Sequence, residues 1–254
     1  MLIIDLNCDL GESFGRYSLG QDEEVIRYIS SGNVACGFHA GDPGVMRRTV
    51  ELLAARNVAI GAHPGLPDLV GFGRRELAVE PEEVENLVIY QVGALKAFAE
   101  SVGAGLCHVK PHGALYNMAA KRADLANAIA RGVAAVDRGL ILVGMAGSEL
   151  VEAGGRAGLR VAREGFADRS YEPDGTLSSR KKPGAVFTDV RQAVNQALRM
   201  VLDGKVATGD GLVLDLAVDT LCLHGDGETA LEFAAAVRKG LEDAGVRILP
   251  LSHR

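Results

Sequence analysis

From one end to the other this chain alternates short β-branched or leucine-rich runs with longer segments of helical period, and no other feature narrows its fold as much. The strand candidates are 2–8 (LIIDLNC), 33–38 (NVACGF), 57–62 (NVAIGA), 105–110 (GLCHVK), 140–145 (LILVGM), 159–164 (LRVARE), 220–225 (TLCLHG) and 246–251 (VRILPL). Between them, 81–102 carries Leu87, Val88, Val92, Leu95, Phe98 and Val102 as one apolar stripe at helical spacing. Pro81 suits its first turn and Gly103 stops it. Further helices are expected from Pro43, from Asp189 to near Gly204, and from Glu228 to Ala244. Such alternation means parallel strands joined by crossover helices. The 254 residues match the roughly 250 of a (β/α) barrel. The spacing therefore predicts an α/β fold: a closed or nearly closed TIM-like (β/α) barrel of about eight units with mostly parallel strands. An open doubly wound sheet is the alternative. With no linker, repeat or low-complexity tract, residues 1–254 are expected to form a single (β/α)-barrel domain. Segment 165–187 breaks the rhythm, being polar and long for a βα connection, and such loops are more often functional than idle. It is expected to close over the barrel mouth.

Nearly every strand candidate ends in groups able to do chemistry: 7–12 (NCDLGE), 37–42 (GFHAGD), 61–65 (GAHPG), 108–113 (HVKPHG), 164–169 (EGFADR) and 223–227 (LHGDG). Five of the six histidines lie there, His253 being the exception. Strand parity puts Asp5, Asn7 and Asp9 on one face, and likewise His108, Lys110 and His112. His108 is expected to be buried and structural, while Lys110 and His112 reach the open mouth. Gly113 should let the backbone turn close to a ligand. Charges buried together are costly unless they pair or bind something. The C-terminal ends of parallel strands are where such folds build active sites. The set points to an enzyme, although any one histidine reads equally well as structural.

Other engines are missing. No GxxxxGK[ST] phosphate loop occurs, residues 103–105 (GAG) lack the rest of a dinucleotide fingerprint, and there is no GxSxG elbow. Ser148 stands where a helix N-cap belongs. A formal charge of −6 argues against nucleic acid, whose binders carry a basic patch. Arg180-Lys181-Lys182 reads as a solvated loop unless an anion docks there. Acids at Asp5 and Asp9 interrupt any leader-like apolar run, and no stretch approaches a membrane span. Cys8, Cys36, Cys107 and Cys222 lie far apart in apolar runs, as reduced cysteines do. A cytoplasmic protein is expected.

Taken in order, 5–15 (DLNCDLGESFG), 33–43 (NVACGFHAGDP), 61–75 (GAHPGLPDLVGFGRR), 109–117 (VKPHGALYN), 163–177 (REGFADRSYEPDGTL) and 222–226 (CLHGD) resemble the LamB/YcsF family. Departures are slight: Gly32 stands where alanine is usual, and Leu66 where an aromatic is common. The resemblance implies a distorted (β/α) TIM-like barrel with seven or eight mostly parallel strands, similar to the glycoside hydrolase/deacetylase superfamily. It also implies ATP-coupled ring opening of 5-oxo-L-proline to L-glutamate by a 5-oxoprolinase complex, in which this family supplies the A component and works with subunits B and C. ATP would be the co-substrate, with Mg²⁺. A homo-oligomer stays open, and neither a nucleic acid nor a membrane is implied as partner. Such hydrolysis needs a base, an acid and cations for a developing oxyanion. The catalytic candidates are Asp9, Glu12, His39, Lys110, His112, Glu164, Asp168, Arg169 and His224; those for substrate contact are Asn7, His63, Arg74 and Asp226. The superfamily likeness further implies a divalent metal on Asp9, His63 and His112, with a metal-free polar site as the alternative. Two other readings remain, a non-catalytic component that delivers substrate and a stand-alone metal-dependent deacetylase.

Overall fold

The structure, a computed structural model, describes residues 1–223 and 230–253. The strands are β1 (Ile3–Leu10), β2 (Ser31–Ala35), β3 (Ala59–His63), β4 (Leu106–Val109), β5 (Ile141–Met145), β6 (Arg160–Phe166), β7 (Lys205–Ala207), β8 (Val213–Asp215), β9 (Thr220–Leu223) and β10 (Arg247–Ile248). The helices are α1 (Asp22–Val25), α2 (Pro43–Ala55), α3 (Pro81–Ser101), α4 (Gly113–Lys121), α5 (Ala123–Val136), α6 (Glu149–Arg156), α7 (Val190–Leu198) and α8 (Ala230–Asp243). Strands β1 to β6 pair in sequence order, β9 follows β6, and β9 also pairs β1, every pairing parallel. That closes a barrel of seven strands. β10 pairs β1 only at Ile3 and Ile4, ahead of the stretch Asp5–Cys8 that β9 occupies, and so stays outside the ring.

Local chemistry explains the helix starts. Asp42 caps α2 by accepting from the amides of Gly44 and Val45 at 2.8 and 2.9 Å, with Pro43 in the first turn. Glu80 and Glu83 form a reciprocal capping box at the head of α3, where Pro81 follows. One face of α3 buries Val84, Val88, Val92 and Leu95 against the barrel; Leu87, Phe98 and Val102 flank it half-buried. After α7 the chain widens into a π turn, 199–203, and stops at Gly204 in the left-handed region (φ 64°). The antiparallel hairpin β7–β8 that follows has no counterpart among the sequence-based expectations. No helix among the described residues is long and apolar enough to cross a membrane.

Outward-facing apolar residues of the strands pack under the helices in the main core. The barrel interior is divided. On the β5–β6 side Ile141, Val143 and Ala162 pack with Leu251 in a small apolar plug. On the β1–β2 side it is polar. Asp5, fully buried, accepts from the hydroxyls of Ser30, Ser31 and Thr220 at 2.7, 2.6 and 2.5 Å. Asn33 donates to Asn7 and Asp9 and accepts from His108 Nε2 at 2.7 Å. Most of these buried polar atoms are thus re-paired, His108 Nδ1 being an exception. Gly61 makes room for His108: a Cβ there would lie 2.0 Å from its Nε2.

Candidate active site

The expected parity holds. Asn7 and Asp9 from β1 meet Lys110, just past β4, inside the barrel's C-terminal end. Lys110 Nζ lies 2.8 Å from Glu164 Oε1, 3.1 Å from Asp9 Oδ1 and 3.1 Å from Asn7 Oδ1. Burial alone would lower the Lys110 pKa, but Asp9 and Glu164 outweigh it and hold the ammonium well above its usual range. Burial likewise opposes ionisation of Asp9, and His63 and Lys110 outweigh it, keeping that carboxyl well below its usual range. Glu164, fully buried, accepts from Lys110, from Asn7 Nδ2 at 3.0 Å and from the Tyr116 hydroxyl at 2.6 Å. Three donors occupy three of its four lone-pair sites, and it fixes the ammonium. Tyr116 is not among the sequence candidates; its position one helical turn after His112, in α4, is the signal that could have found it. Cys222 Sγ lies 3.3 Å from Lys110, although its sequence context points only to core, and burial pushes its thiol up.

Beside this pole sits an imidazole cluster. His63 Nδ1 donates to the Lys110 carbonyl at 2.6 Å, and His112 Nε2 donates to the Phe72 carbonyl at 2.8 Å. A carbonyl can only accept, so these bonds fix both neutral tautomers. The remaining nitrogens, His63 Nε2 and His112 Nδ1, face each other 2.9 Å apart. Asp9 Oδ2 lies 3.2 Å from the first, and Glu12 Oε1 lies 3.5 Å from the second. Burial depresses His112 to about 3 and His39 well below its usual range, which disfavours a proton as the bridge. Glu12, His63 and His112, together with His39, form a group whose ligand atoms could hold a divalent cation. The backbone carbonyls behind both rings are the orienting partners that metal-bound histidines characteristically have. Glu12, His39, His63 and His112 bring ligand atoms within 4.8 Å of one another. His39 stacks on His112, centroids 3.7 Å apart, and its Nε2 faces Glu12 at 3.2 Å. Of the expected set, His63 and His112 belong to this cluster with Glu12 and His39, whereas Asp9 stands beside it, 3.2 Å from His63 Nε2.

A cleft of 520 Å³ opens above, lined by Asp9, His63, Arg74, Lys110 and His112 on one side and by residues 176–181 on the other. Segment 165–187 does reach the mouth. Gln196 of α7 donates to the carbonyls of Phe166, Ala167 and Arg169, and the Tyr171 hydroxyl accepts from the Phe166 amide. Arg169 lines the cleft, and its guanidinium braces this loop by donating to the carbonyls of Ser178 and Ala185. Asp168 is not among the lining residues, and its carbonyl accepts from the Phe187 amide. Lys110 and His112 line the cleft yet are as buried as His108 (3%, 4% and 0% exposed), because the loop roofs them. Gly113 (φ 55°) lines the cleft, and a Cβ there would lie 2.5 Å from the Gly73 carbonyl oxygen, so a close loop crossing also requires glycine at this position. His224 and Asp226 lie outside the described residues.

The sequence model of the LamB/YcsF family matches residues 4–254. A protein of Bacillus licheniformis, named as the A component of 5-oxoprolinase, is 56% identical over 98% of both chains. One of the same name from Bacillus subtilis is 55% identical over 100% of this chain and 99% of its own. The crystal structure of a lactam utilization protein from Thermus thermophilus superposes with a TM-score of 0.93 at 50% identity, over 98% of this chain and 99% of that one. On this similarity along its whole length, the chain belongs to the LamB/YcsF family.

Proposed function

We propose that the protein is the lactam-handling component of an ATP-dependent 5-oxoprolinase, opening 5-oxo-L-proline to L-glutamate while ATP is hydrolysed to ADP and phosphate, together with subunits B and C. The observation that carries this reading is a buried ammonium, Lys110, set beside an ionised carboxylate, Asp9, and the convergent ring nitrogens of His63 and His112 under a roofed cleft. The names of the close relatives supply the lactam.

The chemistry follows from the substrate. A five-membered lactam is a poor electrophile, and phosphorylation of its oxygen would activate the ring carbon; hence the need for ATP with Mg²⁺. Arg74 at the cleft wall suits the substrate carboxylate. Asp9, held ionised, accepts the proton of the attacking water. Lys110, fixed by Glu164, faces the negative charge that develops on oxygen and can hold it without reorganising. Glu12, His63 and His112, with Asp9, would hold a divalent ion, which supplies Lewis acidity and a more acidic bound water. The roof keeps bulk water out.

The test is 5-oxoproline-dependent release of ADP and glutamate by this chain alone, by subunits B and C alone, and by all three. Turnover is expected only with all three. Full ATP-coupled glutamate formation by the single chain would defeat the division of labour. ATP-independent cleavage of an acetamide by the chain alone would instead favour a stand-alone metal-dependent amidase, the second use to which the His63–His112 pair lends itself.

A further inference from the structure

An ammonium group has three N–H bonds to give, and Lys110 meets more acceptors than that. Around its Nζ stand Glu164 Oε1 at 2.8 Å, Asn7 Oδ1 and Asp9 Oδ1 at 3.1 Å each, and Cys222 Sγ at 3.3 Å. These four fall on two sides. Glu164 and Asn7 are buried and are not among the residues lining the cleft, whereas Asp9 and Cys222 line it. Two of the N–H bonds are therefore spent behind the lysine. The third is left for the cleft side, between a carboxylate and a thiol, where a ligand oxygen can compete for it.

The thiol differs from the small polar groups around it. Two residues earlier in β9, Thr220 donates its hydroxyl to Asp5 at 2.5 Å and accepts from Asn7 Nδ2 at 2.7 Å. Ser30 and Ser31 serve Asp5 through hydroxyls as well. Position 222, which the strand register sets beside Asn7 on one side and Phe166 on the other, holds sulfur instead. Thiol sulfur is a weak acceptor. Burial pushes the Cys222 thiol up, so it stays protonated and has no charge with which to hold the ammonium. An oxygen in its place would take a charge-assisted hydrogen bond, among the stronger kinds in proteins.

We propose that Cys222 is a positioning residue for the ring-opening reaction: a weak acceptor on the open side of the Lys110 ammonium, it leaves one N–H for the oxygen of the lactam to take. When that oxygen arrives it displaces sulfur, and little binding is lost in the exchange. Cys222 acts through Lys110 and makes no bond to the reacting atoms. The inference rests on the reading that the inner pole takes the lactam. It makes acceptor strength at position 222, more than side-chain volume, the property that sets the rate.

Two substitutions test it in the complex reconstituted with subunits B and C. Cys222→Ser supplies a stronger acceptor of nearly the same size, and the flexible lysine stem closes the gap left by the shorter C–O bond. It should lower kcat for 5-oxoproline by about tenfold, part of what losing an oxyanion donor outright costs, with a much smaller change in KM. Cys222→Ala, which removes the acceptor, should lose clearly less than Cys222→Ser. A packing role would give the opposite order, the truncated side chain being the worse. Cys222→Ala as slow as Cys222→Ser, or Cys222→Ser as fast as the parent, overturns the inference. A measurement on the parent chain needs neither variant. Cys222 is the one cysteine among the described residues of the cleft lining, so saturating 5-oxoproline should shift one S–H stretching band in the infrared difference spectrum. An unshifted band, with binding established by titration calorimetry, overturns the inference and leaves the lactam reading standing. If 5-oxoproline does not bind the parent chain, the lactam reading falls and the inference with it.

Discussion

His108 and His112 leave the same side of one extended stretch, are equally buried, and do different work. His108 Nε2 donates to Asn33 at 2.7 Å within the barrel's polar interior, whereas His112 spends one nitrogen on Phe72 and aims the other at His63. Substituting His112→Ala should reduce coupled turnover by ~10²-fold or more, the usual worth of a positioned acid–base or ligand group. His108→Ala should leave much of the turnover but lower stability by about 2–4 kcal/mol, since it opens a cavity and strands Asn33. Reconstituted activity and melting of both variants separate the roles, and near-normal turnover in His112→Ala would sink the site built on that residue. Gly61 supplies a second check. A Cβ there would meet the His108 ring at 2.0 Å, so Gly61→Ala should destabilise strongly in the parent and far less in the His108→Ala background. Denaturant midpoints for the double-mutant cycle measure this, and additive losses would contradict it. Parity made these residues legible in the sequence. What parity could not show is the partner across the ring: Asn33 reads as the polar start of an apolar run until β1 and β2 are in register, Asp9 opposite Asn33.

At the scale of elements, the loop 165–187 was legible by its composition, and its attachment was not. One side chain, Gln196, buried in α7, reaches three carbonyls of the segment at 2.7–3.2 Å. Nothing in the sequence around Gln196 marks it, because its partners lie about thirty residues away. The same holds for Gln91 of α3, which accepts from the Gly65 amide and donates to the Gly65 carbonyl, pinning the loop that carries Phe72. Replacing Gln196→Leu keeps the volume and leaves three buried carbonyls short of donors. The roof should then open more often. Trypsin should cut faster at Arg180, Lys181 or Lys182, and KM for 5-oxoproline should rise several-fold with a smaller effect on kcat. Unchanged cleavage rates would show that the loop is held by its other anchors. Ser148 illustrates a rule applied where it does not hold: the cap position is right, but no cap bond forms.

For the molecule as a whole, alternation announced the barrel, but closure could not be read from it. Strand β10 is as apolar in sequence as the others, yet it meets β1 over two residues before β9 takes the same edge, and Pro250, which has no amide hydrogen to donate, follows two residues later. The ring is closed by β9 instead, and this decides where the site forms: β1, β2, β3 and β4 stand side by side, and the groups beyond their C-terminal ends are Asp9 with Glu12, His39, His63 and His112. These ligand candidates come from four consecutive strand ends and are distant in sequence, so an ion bound by them would cross-link much of the barrel wall. Such binding favours only the folded chain, whose unfolded form scatters the ligands. At a free metal concentration about a hundred times Kd the gain is about 2.7 kcal/mol. For a chain of this size that corresponds to roughly 5–10 °C in Tm. Chelator-stripped protein should therefore melt lower than protein supplied with Zn²⁺ or Mn²⁺. Glu12→Gln and His63→Gln should each erase most of the difference, while Cys222→Ala keeps it. If no divalent ion raises the Tm of the parent chain, the facing nitrogens of His63 and His112 share a proton instead, and the site works without a metal.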